Sequence, residues 1–161
     1  MTTNTIQTNT SKWIKLTLAC AIFMVFAACD GSKKQLLIGK WDCLGVMEDI
    51  QIKADVEYLK DGRSTAWFEM TVEEGNNEIT FNGTLIGTWS LDAQTLTEET
   101  TKVNLVTVMA KGKRLPVEAF QSQLTSTMVG MPTTSQIEVL TEHRLVSYDP
   151  DSTTVSCTRK I

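Results

Sequence analysis

Apolar and polar residues alternate with a period of two along most of the chain, the pattern of half-buried β-strands. In QIKADVEYLK (51–60), Ile52, Ala54, Val56 and Tyr58 share one face, while Lys53, Asp55 and Glu57 share the other. In STAWFEMTVEE (64–74), Ala66, Phe68, Met70 and Val72 share a face, which leaves Trp67 on the opposite side with Thr65 and Glu69. Lys60-Asp61-Gly62 joins the two runs. A two-residue hairpin there would set the two apolar faces on opposite sides of the sheet. A three-residue loop with Gly62 in the left-handed region keeps them together, with Val56 opposite Ala66 and Ala54 opposite Phe68. After a turn at Gly75-Asn76-Asn77, the odd positions from Ile79 to Leu91 form one face of a longer alternation that includes Phe81, Leu85 and Trp89. That length is unusual for a strand, so Gly83 predicts a bend or bulge within it. A turn at Asp92-Ala93-Gln94 leads into a further strand-like run over 95–110.

Residues 115–128 break the alternation. Val117, Phe120, Leu124 and Met128 recur at helical spacing, with Pro116 suited to a first turn, so one helix is predicted near 115–128. A turn at Gly130-Met131-Pro132 then precedes three short strands near 135–141, 143–148 and 153–160. The fold class is mainly β, and many short antiparallel strands with one helix predict a small barrel or sandwich.

The N-terminal segment follows neither pattern. After Lys12 and Lys15, residues 16–28 (LTLACAIFMVFAA) form an apolar run that spans only about 20 Å as a helix, short of the ~30 Å hydrocarbon core. A basic start, a short apolar helix and small residues at its end predict a cleaved signal peptide over 1–28, with a retained short anchor as the alternative. Phe26-Ala27-Ala28-Cys29 resembles the bacterial lipobox, with Phe26 where leucine is usual. Cys20 has more apolar sequence after it and is the poorer cleavage point. The resemblance implies that Cys29 becomes the lipidated first residue, and that acyl chains such as palmitate hold the protein on a membrane. Several chains make such an anchor stable. Asp30 resembles the signal that keeps enterobacterial lipoproteins at the inner membrane. The expected location is therefore the cell envelope, facing the periplasm, with a lean toward the inner membrane. Residues 29–35 read as a polar tether and 36–161 as the folded domain.

Removing residues 1–28 takes away two lysines and no acids, so fifteen basic residues fall to thirteen against nineteen acidic ones, a net charge of −6. An acidic domain has no electrostatic footprint for nucleic acid. Lys33-Lys34 and Lys111-Gly112-Lys113-Arg114 read as solvated loops. No catalytic constellation is expected: His143 is the single histidine and lies in a predicted turn, and zinc-ligand spacing is absent. Neither a phosphate-binding loop nor a nucleophile elbow occurs. Glu73-Glu74 and Glu98-Glu99 read as acid pairs on exposed strand ends, and Met109, Met128 and Met131 as fillers of core gaps. No metal or cofactor is expected, and the protein is expected not to be an enzyme.

With Cys20 and Cys29 accounted for, Cys43 and Cys157 remain, one in the first strand and one in the last. In an exported domain a Cys43–Cys157 disulfide is expected, with two independent reduced core thiols as the alternative. An antiparallel register that sets Cys43 opposite Cys157 also sets Trp41 opposite Arg159 on the same side of the sheet. The guanidinium would then lie over the indole, a contact worth about 0.5–2 kcal/mol. Pairing the first strand with the last is also what closes a barrel and removes its edges.

Several short features taken together resemble bacterial lipoproteins with a lipocalin-like domain. They are Gly39-Lys40-Trp41 opening the first strand, the Tyr58-to-Gly62 hairpin, Gly87-Thr88-Trp89-Ser90-Leu91 before a turn, Leu96, and the arginine of the last strand. The resemblance implies an up-and-down antiparallel barrel over 36–161, with Gly39, Trp41 and Arg159 as structural residues of its floor. It also implies an interior that can hold a small apolar ligand. The residues expected to line that interior are Val56, Tyr58, Phe68, Met70, Phe81 and Leu85. A solidly packed barrel that contacts an envelope protein partner, with Trp67 as an exposed anchor, is the alternative. Leu-Ile-Gly-x-Trp occurs at both 37–41 and 85–89, but the sequences that follow share nothing, so the repeat reads as two structural pins.

Overall fold

The computed structural model describes residues 31–47, 49–74, 77–149 and 153–161. The expected signal peptide over 1–28, with Cys20, the expected lipidation residue Cys29 and Asp30 lie outside the described residues. The chain divides into two compact units, Met1–Ser32 and Lys33–Ile161. Of the first, Gly31 and Ser32 are described and are helical.

Among the described residues, nine strands form one antiparallel sheet: β1 (Gly39–Met47), β2 (Ile50–Tyr58), β3 (Arg63–Glu74), β4 (Asn77–Asp92), β5 (Thr95–Ala110), β6 (Lys113–Leu115), β7 (Pro132–Leu140), β8 (Arg144–Tyr148) and β9 (Thr154–Arg159). β1 to β5 pair in sequence order. β5 then pairs with β7 through Thr95–Glu99, and β7, β8 and β9 lead back to β1. All strands but β6 thus close a ring, and the period-two apolar faces turn inward. The short β6 pairs only with the far end of β5.

Local chemistry explains the connections. Gly62 has φ of 84°, and the β2–β3 register sets Val56 opposite Ala66 and Ala54 opposite Phe68, as the alternation requires. Lys111 and Gly112 both have positive φ, the two-residue hairpin geometry that turns β5 into β6. Lys113 and Arg114 accordingly belong to a strand rather than to the loop expected there, although both remain exposed. β4 is continuous, but its register against β5 slips at Asn82/Gly83 and again at Ile86/Gly87. A Cβ at Gly83 would lie 2.5 Å from the Asn104 carbonyl oxygen and 2.9 Å from the Phe68 ring, which explains a glycine at the first slip.

The seam between β1 and β9 sets Cys43 opposite Cys157 and Trp41 opposite Arg159, and the two cysteines form a disulfide. The Arg159 guanidinium lies 4.2 Å from the centroid of the Trp41 ring. Its nitrogens donate to the carbonyls of Leu36, Ile38 and Glu142, and the Trp41 indole N–H donates to the Leu37 carbonyl at 2.8 Å. The Leu36 and Leu37 carbonyls are presented because residues 33–37 are helical. Leu37, at the end of this helical segment, is fully buried with Trp41. Gly39 has φ of 131°, and a Cβ there would collide with the guanidinium, so no other residue fits between helix and strand.

A second apolar cluster forms at the long β3–β5 end. Phe68, Val103, Leu105 and Val108 are buried there under Phe120, Leu124 and Met128 of the helix Glu118–Met128. Between its β7 and β6 pairings, β5 has no strand on its outer edge. The helix fills that place: Gln121 Oε1 accepts from the Leu105 N–H at 2.8 Å, and its Nε2 donates to the Val103 carbonyl at 3.0 Å. Gly130 N–H, just past the helix, donates to the Thr100 carbonyl at 2.9 Å.

Candidate functional site

Because the ring closes with its apolar faces inward, the space it encloses is bounded by alternate residues of each strand. Two cavities occupy it, of about 300 Å³ and about 180 Å³. Ile52, Ala54, Val56 and Glu98 line both. The larger extends between β1–β2 and β7–β9, against Tyr58, Leu96, Leu145 and Val155. The smaller extends along β3–β5, against Ala66, Phe68, Met70 and Leu85, and Met128 of the helix borders it. These volumes lie at or below the small end of the range for ligand pockets.

One ionisable group sits where the two cavities share residues. Leu96 and Glu98 alternate onto the inner face of β5, where Glu98 lies opposite Trp89 on one side and Thr133 on the other. The Tyr58 O–H donates to Glu98 Oε1 at 3.0 Å. Tyr58 is itself buried and packs edge-to-face on Trp89, with ring centroids 5.6 Å apart. Burial raises the Glu98 carboxyl above its ordinary range, and the hydrogen bond from Tyr58 opposes part of that rise. The Tyr58 phenol is pushed well above its own ordinary value by burial first, then by the charge of Glu98 and the hydrogen bond to it. Among the described residues, Tyr58 is the single side chain bonded to this carboxylate. The ion pairs there, Lys53–Glu69, Arg63–Asp61 and Lys160–Asp55, join partly exposed side chains, and none includes Glu98. The larger cavity is also lined by the buried hydroxyls of Ser147 and Thr153, and among the described residues Thr153 Oγ1 has no hydrogen-bond partner.

Of the residues expected to line the interior, Val56 borders both cavities, Tyr58 the larger one, and Phe68, Met70 and Leu85 the smaller one. Phe81 borders neither. It packs edge-to-face on Phe120, ring centroids 5.6 Å apart, and belongs to the seat of the helix. Glu98 corrects the reading of Glu98-Glu99 as a solvated pair, since only Glu99 is exposed. The signal lay in its alternation with Leu96, outweighed by the usual place of glutamate at the surface. Trp67 is 44% exposed on the outer face, and His143 is exposed in the β7–β8 turn. Met128 packs against the core, whereas Met131 is exposed. Among the described residues, no three His, Cys, Asp or Glu side chains converge as metal ligands would.

No family model and no curated protein matches the sequence. Among solved structures, the chain is similar to a lipocalin-like protein from Bacteroides uniformis, at 15% identity over 78% of this chain and 99% of that one, with a TM-score of 0.39.

Proposed function

We propose that the chain is a membrane-tethered lipoprotein of the cell envelope whose lipocalin-like barrel is a non-catalytic binding module for a small, mainly apolar molecule. The observation that carries this reading is the partly open apolar space between Ile52, Ala54 and Val56 of β2 and the strands facing them. A solidly packed barrel would leave no such space. The tether rests on the basic, apolar and Phe26-Ala27-Ala28-Cys29 pattern of the sequence.

Native mass spectrometry of gently purified full-length protein tests the binding role. A small molecule that co-purifies and is released on unfolding is the expected result, and an empty chain that takes up no apolar probe would sink the reading. Labelled palmitate should be incorporated by the wild type and not by Cys29→Ala. A second reading, contact with an envelope protein, is favoured by the exposed Trp67. Trp67→Ala would abolish cross-linking to a membrane partner in that case and leave ligand content unchanged.

A further inference from the structure

The larger and smaller cavities have mainly apolar walls and share one carboxylate, Glu98, while Asp149 borders only the larger and Glu99 only the smaller, and that combination selects a ligand chemistry. We infer that the interior site takes a small amphiphile bearing an ammonium group, with Glu98 receiving the ammonium and the β2 and β3 side chains holding its apolar body. This inference rests on the binding-module reading above.

Three observations carry it. Glu98 faces the enclosed space from β5 and borders both cavities, so any molecule filling either one lies near it. Its carboxylate accepts one hydrogen bond, from Tyr58 to Oε1, while Oε2 has no hydrogen-bond partner among the described residues. No lysine or arginine is paired with it there, since the three ion pairs engage other acids. Glu98 is half-buried, and a carboxylate partly withdrawn from water without a cation carries a desolvation cost that a ligand ammonium offsets. The same carboxylate acts against fatty acids, whose headgroup would bring a second negative charge into the cavity. The upward shift of the Glu98 carboxyl through burial agrees with this: the site favours a proton when no other cation is present.

Titration calorimetry with octylamine, 1-octanol and octanoate, on the full chain at neutral pH, tests the inference with three probes of equal chain length. Octylamine should bind roughly tenfold or more tightly than octanol, as expected for a charge-assisted hydrogen bond, and octanoate should bind least. On Glu98→Gln, octylamine should fall to the affinity of octanol measured on the same variant. Octanol affinity equal to that of octylamine, octanoate binding as well as the amine, or an unchanged amine preference in Glu98→Gln would overturn the ammonium assignment and leave the binding module standing. If none of the probes binds, both readings fall. The three-probe comparison on the wild type stands whether or not the variant folds.

Discussion

The two ends of the β ring are closed by different means. At the floor, Trp41, Leu37 and Leu96 are almost fully buried, Arg159 stacks on Trp41 while bonding three carbonyls, and the Cys43–Cys157 bridge ties the first strand to the last. At the opposite end the closure is a helix of eleven residues with no fully buried side chain and no side-chain cap at its N-terminus. Its hold on the sheet is four half-buried apolar residues, from Val117 to Met128, and the paired hydrogen bonds of Gln121. A floor closed by interlocked contacts opens only with the whole fold. A lid held by partial burial can open separately, and such regions are the ones through which binding proteins admit ligands. Met128 bordering the smaller cavity places that lid against the interior space.

The contrast can be tested from either end. The largest effect is expected at the floor: Trp41→Ala should cost about 3–5 kcal/mol in chemical denaturation, because a fully buried indole is replaced by a void. Loss of the disulfide follows. The bridge closes a loop across 114 residues, and Cys43→Ala/Cys157→Ala should cost about 2–4 kcal/mol. Non-reducing gels and thiol titration check its presence first: two free thiols in the wild-type domain would contradict the bridge. At the lid, Phe120→Ala should cost about 1–2 kcal/mol, since the ring is only partly buried. Hydrogen exchange should rise in 117–130 while the β1–β9 seam keeps its protection. Equal loss of protection at both ends would show that the ring opens as one unit.

The smallest effect lies between the two ends and depends on pH. The folded carboxyl of Glu98 is raised above its unfolded value, so the folded state holds the proton more tightly. The resulting stability is fully present below the ordinary glutamate range near pH ~4.3 and is lost as pH rises through the folded value. Thermal melts should therefore show wild-type stability declining over that window, and Glu98→Gln should remove this part of the decline while keeping an acceptor for Tyr58. Tyr58→Phe should move the decline to higher pH, because the hydrogen bond that opposes the rise is gone.

Several of these residues were legible in the sequence because strands obey a strict geometry. A period of two residues ties each side chain to a face, so the Gly62 loop and the β2–β3 register followed from matching apolar faces, while Cys43 opposite Cys157 followed from setting the first strand beside the last. The same alternation placed Glu98 inside, but the chemistry of the residue argued for the surface, and a single sequence cannot say which consideration prevails. Gln121 was illegible for a different reason. Its bonds to Leu105 and Val103 bridge residues distant in the sequence, and no local pattern marks an amide that stands in for a strand. Residues 33–35, which are helical, were read as a tether because DGSKKQ is polar, and Leu37 gains its role only from the Trp41–Arg159 pair it covers.

The sequence by itself determined most of the strands and their inward faces, because periodicity and burial act on neighbouring residues, and β6 at Lys113–Leu115 escaped it. Tertiary structure alone decided that a helix, through Gln121, takes the place of a partner strand beside the middle of β5, and that the interior keeps a volume bordered by the Glu98 carboxylate. Those outcomes depend on how far the strands extend past one another and on whether side chains from distant segments fill the interior, and both are set by the packing of the whole ring.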